Sequence, residues 1–340
     1  MLKIKNVYSV RNWLDIKTIK IIMPLAIPVI IENIFQALLG TIDTYFVGKL
    51  SSNAIAAVGI TNLIMNIYIG FFTAVGIGTT SIVSRNIGLA TTLARIISVI
   101  MLFTSVCRDK TIIKLNLFSK WIINKKLLIS IGKIGIPAGI EKLIMRFGQL
   151  VYGAMIIDLG TSAYVAHNIA GTIESYSYLP AMGFGIAAAT LMGNNLGANK
   201  PEKAKKYVLA ANTLSTIFMV IIGVFFYTMS PSLAKLFTSD KQVQQLVVSV
   251  LRIIALFQPF LSLTMVISST LQGAGDTKFS MYSTFFGIWV IRVGVGYLFG
   301  VIFNFGLVGS WLAYSLDISI RGIILLLRFL NNKWRNIKIS

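Results

Sequence analysis

Apolar stretches of membrane-spanning length recur along the whole 340-residue chain, and no other feature narrows its possible folds as sharply. The clearest occupy residues 131–157, 207–229, 243–271, 279–303 and 307–330. About 20 apolar residues in helical conformation cross the hydrocarbon core of a bilayer. No water is available there to pair a bare backbone N–H or C=O, so a crossing segment must be a helix or a strand of a closed barrel. Barrel strands are short and alternate apolar with polar residues. These runs are long and continuous, which predicts helices. Composition agrees: 56% of residues are hydrophobic and 12% charged, against about a quarter charged in soluble domains. With further spans at about 19–39, 54–84, 89–103 and 164–192, the sequence predicts an all-α, polytopic membrane protein of about nine transmembrane helices.

A net charge of +20 raises the question of nucleic-acid binding. The basic residues lie between the apolar runs and not on a soluble amphipathic surface, so that partner is excluded. Loops on the cytoplasmic side of a membrane are enriched in Lys and Arg, which accounts for the excess. The partner is the lipid bilayer, and the expected location is the plasma (inner) membrane. One cysteine, Cys107, and one histidine, His167, leave no donor cluster for a structural metal, and no cofactor is expected. Neither a nucleophile–base pair nor a phosphate-binding glycine loop appears, so the chain does not read as an enzyme.

The chain repeats itself. Shifted by 109 residues, Ile27, Pro28, Ile31 and Glu32 fall on Ile136, Pro137, Ile140 and Glu141. The same shift places Gly76, Asn86 and Gly88 on Gly185, Asn195 and Gly197. Internal repeats are a signature of secondary transporters, whose substrate path runs between the repeats. The match then breaks. Residues 89–93, Leu-Ala-Thr-Thr-Leu, resemble residues 312–316, Leu-Ala-Tyr-Ser-Leu, so the second half holds 114 residues, 198–311, that the first half lacks. Those residues contain three spans. The chain divides into an incomplete first lobe over 1–106, a basic cytoplasmic linker over 107–133, and a complete six-helix lobe over 134–340.

Charge placement exposes a conflict. With Lys3, Lys5, Arg11, Lys17 and Lys20 inside, three spans before the linker would carry its many basic residues outside. The second half alone is consistent with the linker, Lys200, Lys203, Lys205, Lys206, Lys278 and the basic tail all inside. Three readings stay open: residues 89–103 do not span, part of the protein is inverted, or the chain is a damaged derivative.

Several segments together resemble one family. Residues 40–48, Gly-Thr-Ile-Asp-Thr-Tyr-Phe-Val-Gly, look like the first helix of the multidrug and toxic compound extrusion (MATE) family. Residues 83–88, Val-Ser-Arg-Asn-Ile-Gly, and 191–198, Leu-Met-Gly-Asn-Asn-Leu-Gly-Ala, are similar to its helix-two and helix-eight endings. Residues 271–277, Leu-Gln-Gly-Ala-Gly-Asp-Thr, resemble the loop after helix ten, and 137–141 and 174–180 resemble parts of helices seven and eight. The resemblance implies a two-lobe, twelve-helix fold, here an incomplete version lacking helices three to five. It implies a secondary active multidrug efflux antiporter that exchanges H⁺ or Na⁺ for small organic, often cationic, drugs. The internal deletion is expected to impair transport. The alternatives are a non-transporting remnant and a lipid-linked oligosaccharide flippase of the wider superfamily. Nothing in the sequence sets the oligomeric state.

Carboxylates inside spans are costly and are therefore functional candidates. Asp43 is the first, as the residue that matches the family's coupling aspartate. Glu141, Glu174 and Glu32 follow as ion-coupling or substrate residues, Glu32 and Glu141 being repeat mates. Pro28 and Pro137 are expected hinges, because proline removes a helix hydrogen bond. Asp317 and Arg321, spaced i, i+4, are expected to form a structural ion pair. Arg95, Arg146 and Arg292 are expected to pair with acids or to snorkel to the interface. His167 reads as a satisfied structural histidine near an outer helix end, and Phe225, Phe226, Tyr176, Tyr178, Phe285 and Phe286 as packing or lipid-facing aromatics.

Overall fold

The computed structural model describes residues 14–48 and 125–336, with side chains placed at 14–35 and 132–335. The expected spans at 54–84 and 89–103 lie outside the described residues. What is described is helical throughout, as the apolar runs require. Helix α1 covers Ile16–Gly48, α2 Lys125–Asp158, α3 Thr161–Gly197, α4 Pro201–Phe237 and α5 Lys241–Gly273. Helix α6 opens as Thr277–Phe285 and continues in wider π turns over Phe286–Val295 and Leu298–Ile302, α7 covers Gly306–Leu330, and a short 3₁₀ turn follows at Lys333–Asn336. Helix α2 begins inside the segment 107–133 expected to be linker, so Lys125, Lys126 and Lys133 are helical.

Connections of two or three residues join α2 to α7, which forces consecutive helices to run antiparallel. The local sequence explains the tight ends. Asp240 caps α5 by accepting hydrogen bonds from the backbone N–H of Gln242 at 2.8 Å and Val243 at 3.2 Å, which satisfies donors the helix cannot. Pro201 opens α4 where its missing N–H has no partner to lose. Gly275, at φ +85°, turns the chain between α5 and α6 in a conformation that side chains with a Cβ disfavour.

Among the described residues five helices are long and apolar enough to cross a membrane: Ile16–Phe35 within α1, then α4, α5, Thr277–Ile302 and α7. Helices α2 and α3 are as long but more polar. Glu141, Lys142 and Arg146 interrupt α2, and His167, Asn168 and Glu174 interrupt α3.

Helix α5 lies at the centre, against α3, α4 and α7. Small residues let the backbones approach, as is usual between helices in lipid. A Cβ on Gly223 would stand 2.6 Å from the Ala255 carbonyl oxygen, and one on Gly273 would stand 2.7 Å from that of Ala189. Gly183 meets Ile30 of α1, and Gly185 meets Ser269 of α5. The glycine-rich stretch 183–193 is therefore a packing surface.

The buried apolar residues separate into two clusters. One gathers Tyr152, Ile156, Ala166, Met219, Phe226, Val247, Leu251, Leu307 and Trp311. The other gathers Ile22, Phe184, Met192, Val208, Ile267, Leu271, Leu325 and Phe329. The second cluster lies at the end of the bundle where α3 and α5 finish and α4 and α6 begin. Ion pairs fasten that end: Lys206 to Asp15 at 2.8 Å, Arg328 to Asp276 at 2.8 Å and Arg335 to Glu202 at 2.7 Å. Hydrogen bonds from Lys206, and then from Thr18, hold the Asp15 carboxyl well below the usual carboxylate range. That tie is fully present above the ordinary aspartate pKa and is lost only as pH falls through the depressed value.

Candidate functional site

The packed helices also bury a belt of polar side chains drawn from five of them. It contains Glu174 and Ser177 of α3, Ser215 of α4, Gln258, Ser262 and Thr264 of α5, Arg292 of α6, and Tyr314, Ser315, Asp317 and Arg321 of α7. Polar groups buried among transmembrane helices cost free energy unless paired, so a belt spanning five helices is a functional candidate before any role is assigned.

Glu174 is 2% exposed, in the middle of α3. Tyr314 donates its phenol proton to Glu174 Oε1 at 2.8 Å. The Tyr178 and Tyr314 hydroxyl oxygens stand 2.6 Å apart. A phenol has one proton to give, and Tyr314 gives its own to Glu174, so Tyr178 must donate to Tyr314. The result is a directed chain, Tyr178 to Tyr314 to Glu174. The Arg292 guanidinium lies 4.2 Å from the centre of the Tyr314 ring, a cation–π placement that fixes the phenol from its other face.

Arg292 also binds Asp317, through Nε at 2.9 Å and Nη2 at 2.6 Å, both to Oδ2. Arg321 reaches the same oxygen at 3.2 Å. Asp317 and Arg321 thus pair across one helical turn, but the closer partner of Asp317 is Arg292, on the neighbouring helix. Gly287 makes room for this: its backbone sits directly against the Asp317 carboxylate, where a Cβ would collide. The π turns of α6 set Gly287, Ile288, Ile291 and Arg292 on its buried face. Wide turns of this kind occur preferentially at functional sites.

A further buried carboxylate lies where α2 meets the end of α5 and the start of α6. Glu141, 5% exposed, accepts hydrogen bonds from Gln272 Nε2 at 3.1 Å, Ser280 Oγ at 3.1 Å and Thr284 Oγ1 at 3.0 Å. Its partners come from the end of α5 and the start of α6. Pro137, one turn earlier, is buried beside it, whereas Pro28 and Glu32 lie on the exposed face of α1. The repeat mates Glu32 and Glu141 therefore occupy different environments. Asp43 lies within α1, and its side chain is outside the described residues, as is Arg95.

The MatE family profile matches residues 28–123 and, a second time, residues 137–298. The chain belongs to the MATE family, a family of membrane transporters. It is 30% identical over 279 residues to the "Probable multidrug resistance protein NorM" of Thermotoga maritima, covering 81% of this chain and 59% of that protein. It is 25% identical over 252 residues to the "Uncharacterized transporter YisQ" of Bacillus subtilis, covering 73% of this chain and 54% of that one. The chain thus spans little more than half the length of these relatives. Among solved structures, an outward-facing MATE transporter of the MOP superfamily aligns with a TM-score of 0.76 at 17% identity, over 98% of this chain and all of that one. MATE in complex with MaD3S aligns with a TM-score of 0.67 at 22% identity, over 73% and 56%. These two likenesses concern the fold.

Sequence reasoning for this MATE chain singled out Glu141, Glu174, Asp317 and Arg321 and missed most of what surrounds them. Tyr314, Gln272, Ser280 and Thr284 carried no individual signal. Thr277, Ser280 and Thr284, at i, i+3 and i+7, do mark a polar face on α6. Arg146, expected to meet an acid or to snorkel, donates to Gln149 at 3.2 Å.

Proposed function

We propose that the chain has the architecture of a secondary active exporter that exchanges H⁺ or Na⁺ for organic, often cationic, compounds across the plasma membrane. The observation that carries this reading is Glu174: a carboxylate buried mid-helix among apolar side chains, held by phenols and beside a cation. Asp317 opposed by Arg292 and Arg321 leaves one positive charge in the belt. Ionised Glu174 neutralises it, and neutralisation of Glu174 by an incoming ion restores it. Coupling ion and cationic cargo then compete for the same lobe, which is the logic of an antiporter. Asp43 is the carboxylate candidate of the first lobe, and Glu141 and Glu32 are further cation-binding candidates.

A second reading is favoured by length. The first MatE match is shorter than the second, and the chain spans 59% of the Thermotoga maritima relative. We infer that helices three to five of the first lobe are absent and that the 340-residue chain transports poorly. The test expresses this chain in a drug-sensitive host beside a version in which the block after Gly88 is restored. Resistance is expected only in the restored version, and equal resistance in both would refute the inference. Asp43→Asn in the restored version is expected to abolish ion-coupled efflux; export at the unsubstituted level would remove Asp43 from the mechanism.

A further inference from the structure

An open groove of 330 Å³ runs between α4 and α5 on the surface of the bundle. Val220, Gly223 and Val224 of α4 and Ala255, Leu256 and Pro259 of α5 line it. Both helices are long and apolar enough to cross a membrane. Val220, Val224 and Leu256 are exposed, so the groove opens toward lipid. Its depth follows from the sequence. Pro259 has no N–H to give the Ala255 carbonyl four residues earlier. That carbonyl lies so near Gly223 that a Cβ there would stand 2.6 Å from it. Glycine at 223 and alanine at 255 leave a low floor between taller side chains. In a bilayer this space takes up hydrocarbon, because an empty gap forfeits dispersion contacts along its walls.

A cation stands at one end of the groove. The Arg252 guanidinium lies 5.6 Å from the centre of the Tyr227 ring, and Tyr227 lines the groove. Arg252 is exposed on α5. Helix α5 contains no acid, and the one acid of α4, Glu202, lies in its first turn, at the other end from Tyr227. Among the described residues no carboxylate pairs with Arg252. Arg252 stands eleven residues past Lys241, the first residue of α5, which is about 16 Å along the helix. The 33 residues of α5 extend about 50 Å, against about 30 Å of hydrocarbon. Centred on the bilayer, α5 sets the Arg252 backbone about 6 Å below the hydrocarbon surface. An arginine there reaches up to the headgroups. Pro259 lies seven residues, or about 10 Å, deeper. A charge held at this level without a counter-ion is costly.

We propose that this groove is a binding site for one anionic phospholipid, with its phosphate on Arg252 and an acyl chain along Val220, Val224 and Leu256. The proposal is independent of the exchange reading above. The planar guanidinium offers two parallel N–H donors that match a pair of phosphate oxygens. The groove follows the helix axes, as the acyl chains of a bilayer do. A zwitterionic lipid carries its own cation beside the phosphate and leaves the charge of Arg252 without a net partner, so the site selects an anionic headgroup. With Lys200, Lys203, Lys205 and Lys206 inside, the Arg252 end of α5 lies in the outer leaflet, and the lipid comes from there.

The test measures lipid retention and needs no transport. The full chain is purified in neutral detergent and titrated with phosphatidylglycerol or with phosphatidylcholine of the same acyl chains, and bound lipid is counted by native mass spectrometry. One phosphatidylglycerol is expected to bind roughly tenfold more tightly than phosphatidylcholine, as a charge-assisted contact allows. Arg252→Ala is expected to abolish that preference. Val224→Trp fills the groove, leaves Arg252 in place and is expected to weaken both lipids. Excess inorganic phosphate is expected to displace neither. Equal preference for phosphatidylglycerol in Arg252→Ala and the unsubstituted chain would overturn the headgroup assignment. Undiminished binding in Val224→Trp would overturn the groove as the acyl-chain site, and displacement by inorganic phosphate would mean a phosphate site and no lipid site. If Arg252→Ala does not assemble, Arg252→Gln keeps a polar stem, removes the charge and must show the same loss of preference.

Discussion

At Asp317 a single carboxylate oxygen receives contacts from Arg292 and Arg321, while the other oxygen has no hydrogen-bond partner. The three charges are not equivalent. Removing Arg292 leaves Asp317 paired with Arg321, whereas removing Asp317 leaves two guanidinium groups facing each other in a buried site. Breaking a buried pair costs about 3–5 kcal/mol, because the remaining charge is uncompensated. Asp317→Leu is therefore expected to lie at or beyond the upper end of that range and Arg292→Leu below it. Thermal unfolding in detergent, followed by helical circular dichroism, orders the two. A larger loss in Arg292→Leu would contradict the charge accounting. The sequence shows part of this cluster. The i, i+4 spacing of Asp317 and Arg321 follows from helix geometry alone. That Arg292 is the closer partner depends on how α6 packs against α7, which no local spacing encodes. The same holds for Tyr314, one aromatic among many until the fold sets its hydroxyl against Glu174.

The helices themselves are the most legible elements, because membrane-spanning length and continuous apolarity are local properties. Their boundaries are less so: α2 begins within the expected linker, since charged residues are tolerated in a helix that extends beyond the apolar layer. The contacts between helices are set by small residues whose importance appears only in three dimensions. Gly223 and Gly153 illustrate this. A Cβ on Gly223 would stand 2.6 Å from the Ala255 carbonyl oxygen, while one on Gly153 would meet nothing within 4 Å. Gly223→Ala is expected to destabilise by about 1–3 kcal/mol through overpacking against a backbone that cannot retreat. Gly153→Ala is expected to be neutral or to stabilise by about 0.5–1 kcal/mol, since alanine is the better helix former. Melting curves of the two variants separate the cases, and equal effects would mean that the α4–α5 approach is not the constraint described.

For the molecule as a whole, the second half carries a bundle of six helices that buries a belt of polar side chains. The repeat at an offset of 109 residues is legible because it needs only sequence. The belt is not, because its members are scattered over more than 140 residues and five helices. We propose that this belt trades a coupling ion against a cationic cargo at Glu174. The most direct test uses purified chain in weakly buffered detergent, titrated with a fluorescent organic cation while pH is recorded. Binding is expected to release protons from the unsubstituted protein and none from Glu174→Gln. Cation binding without proton release, or equal release from Glu174→Gln, would contradict the claim.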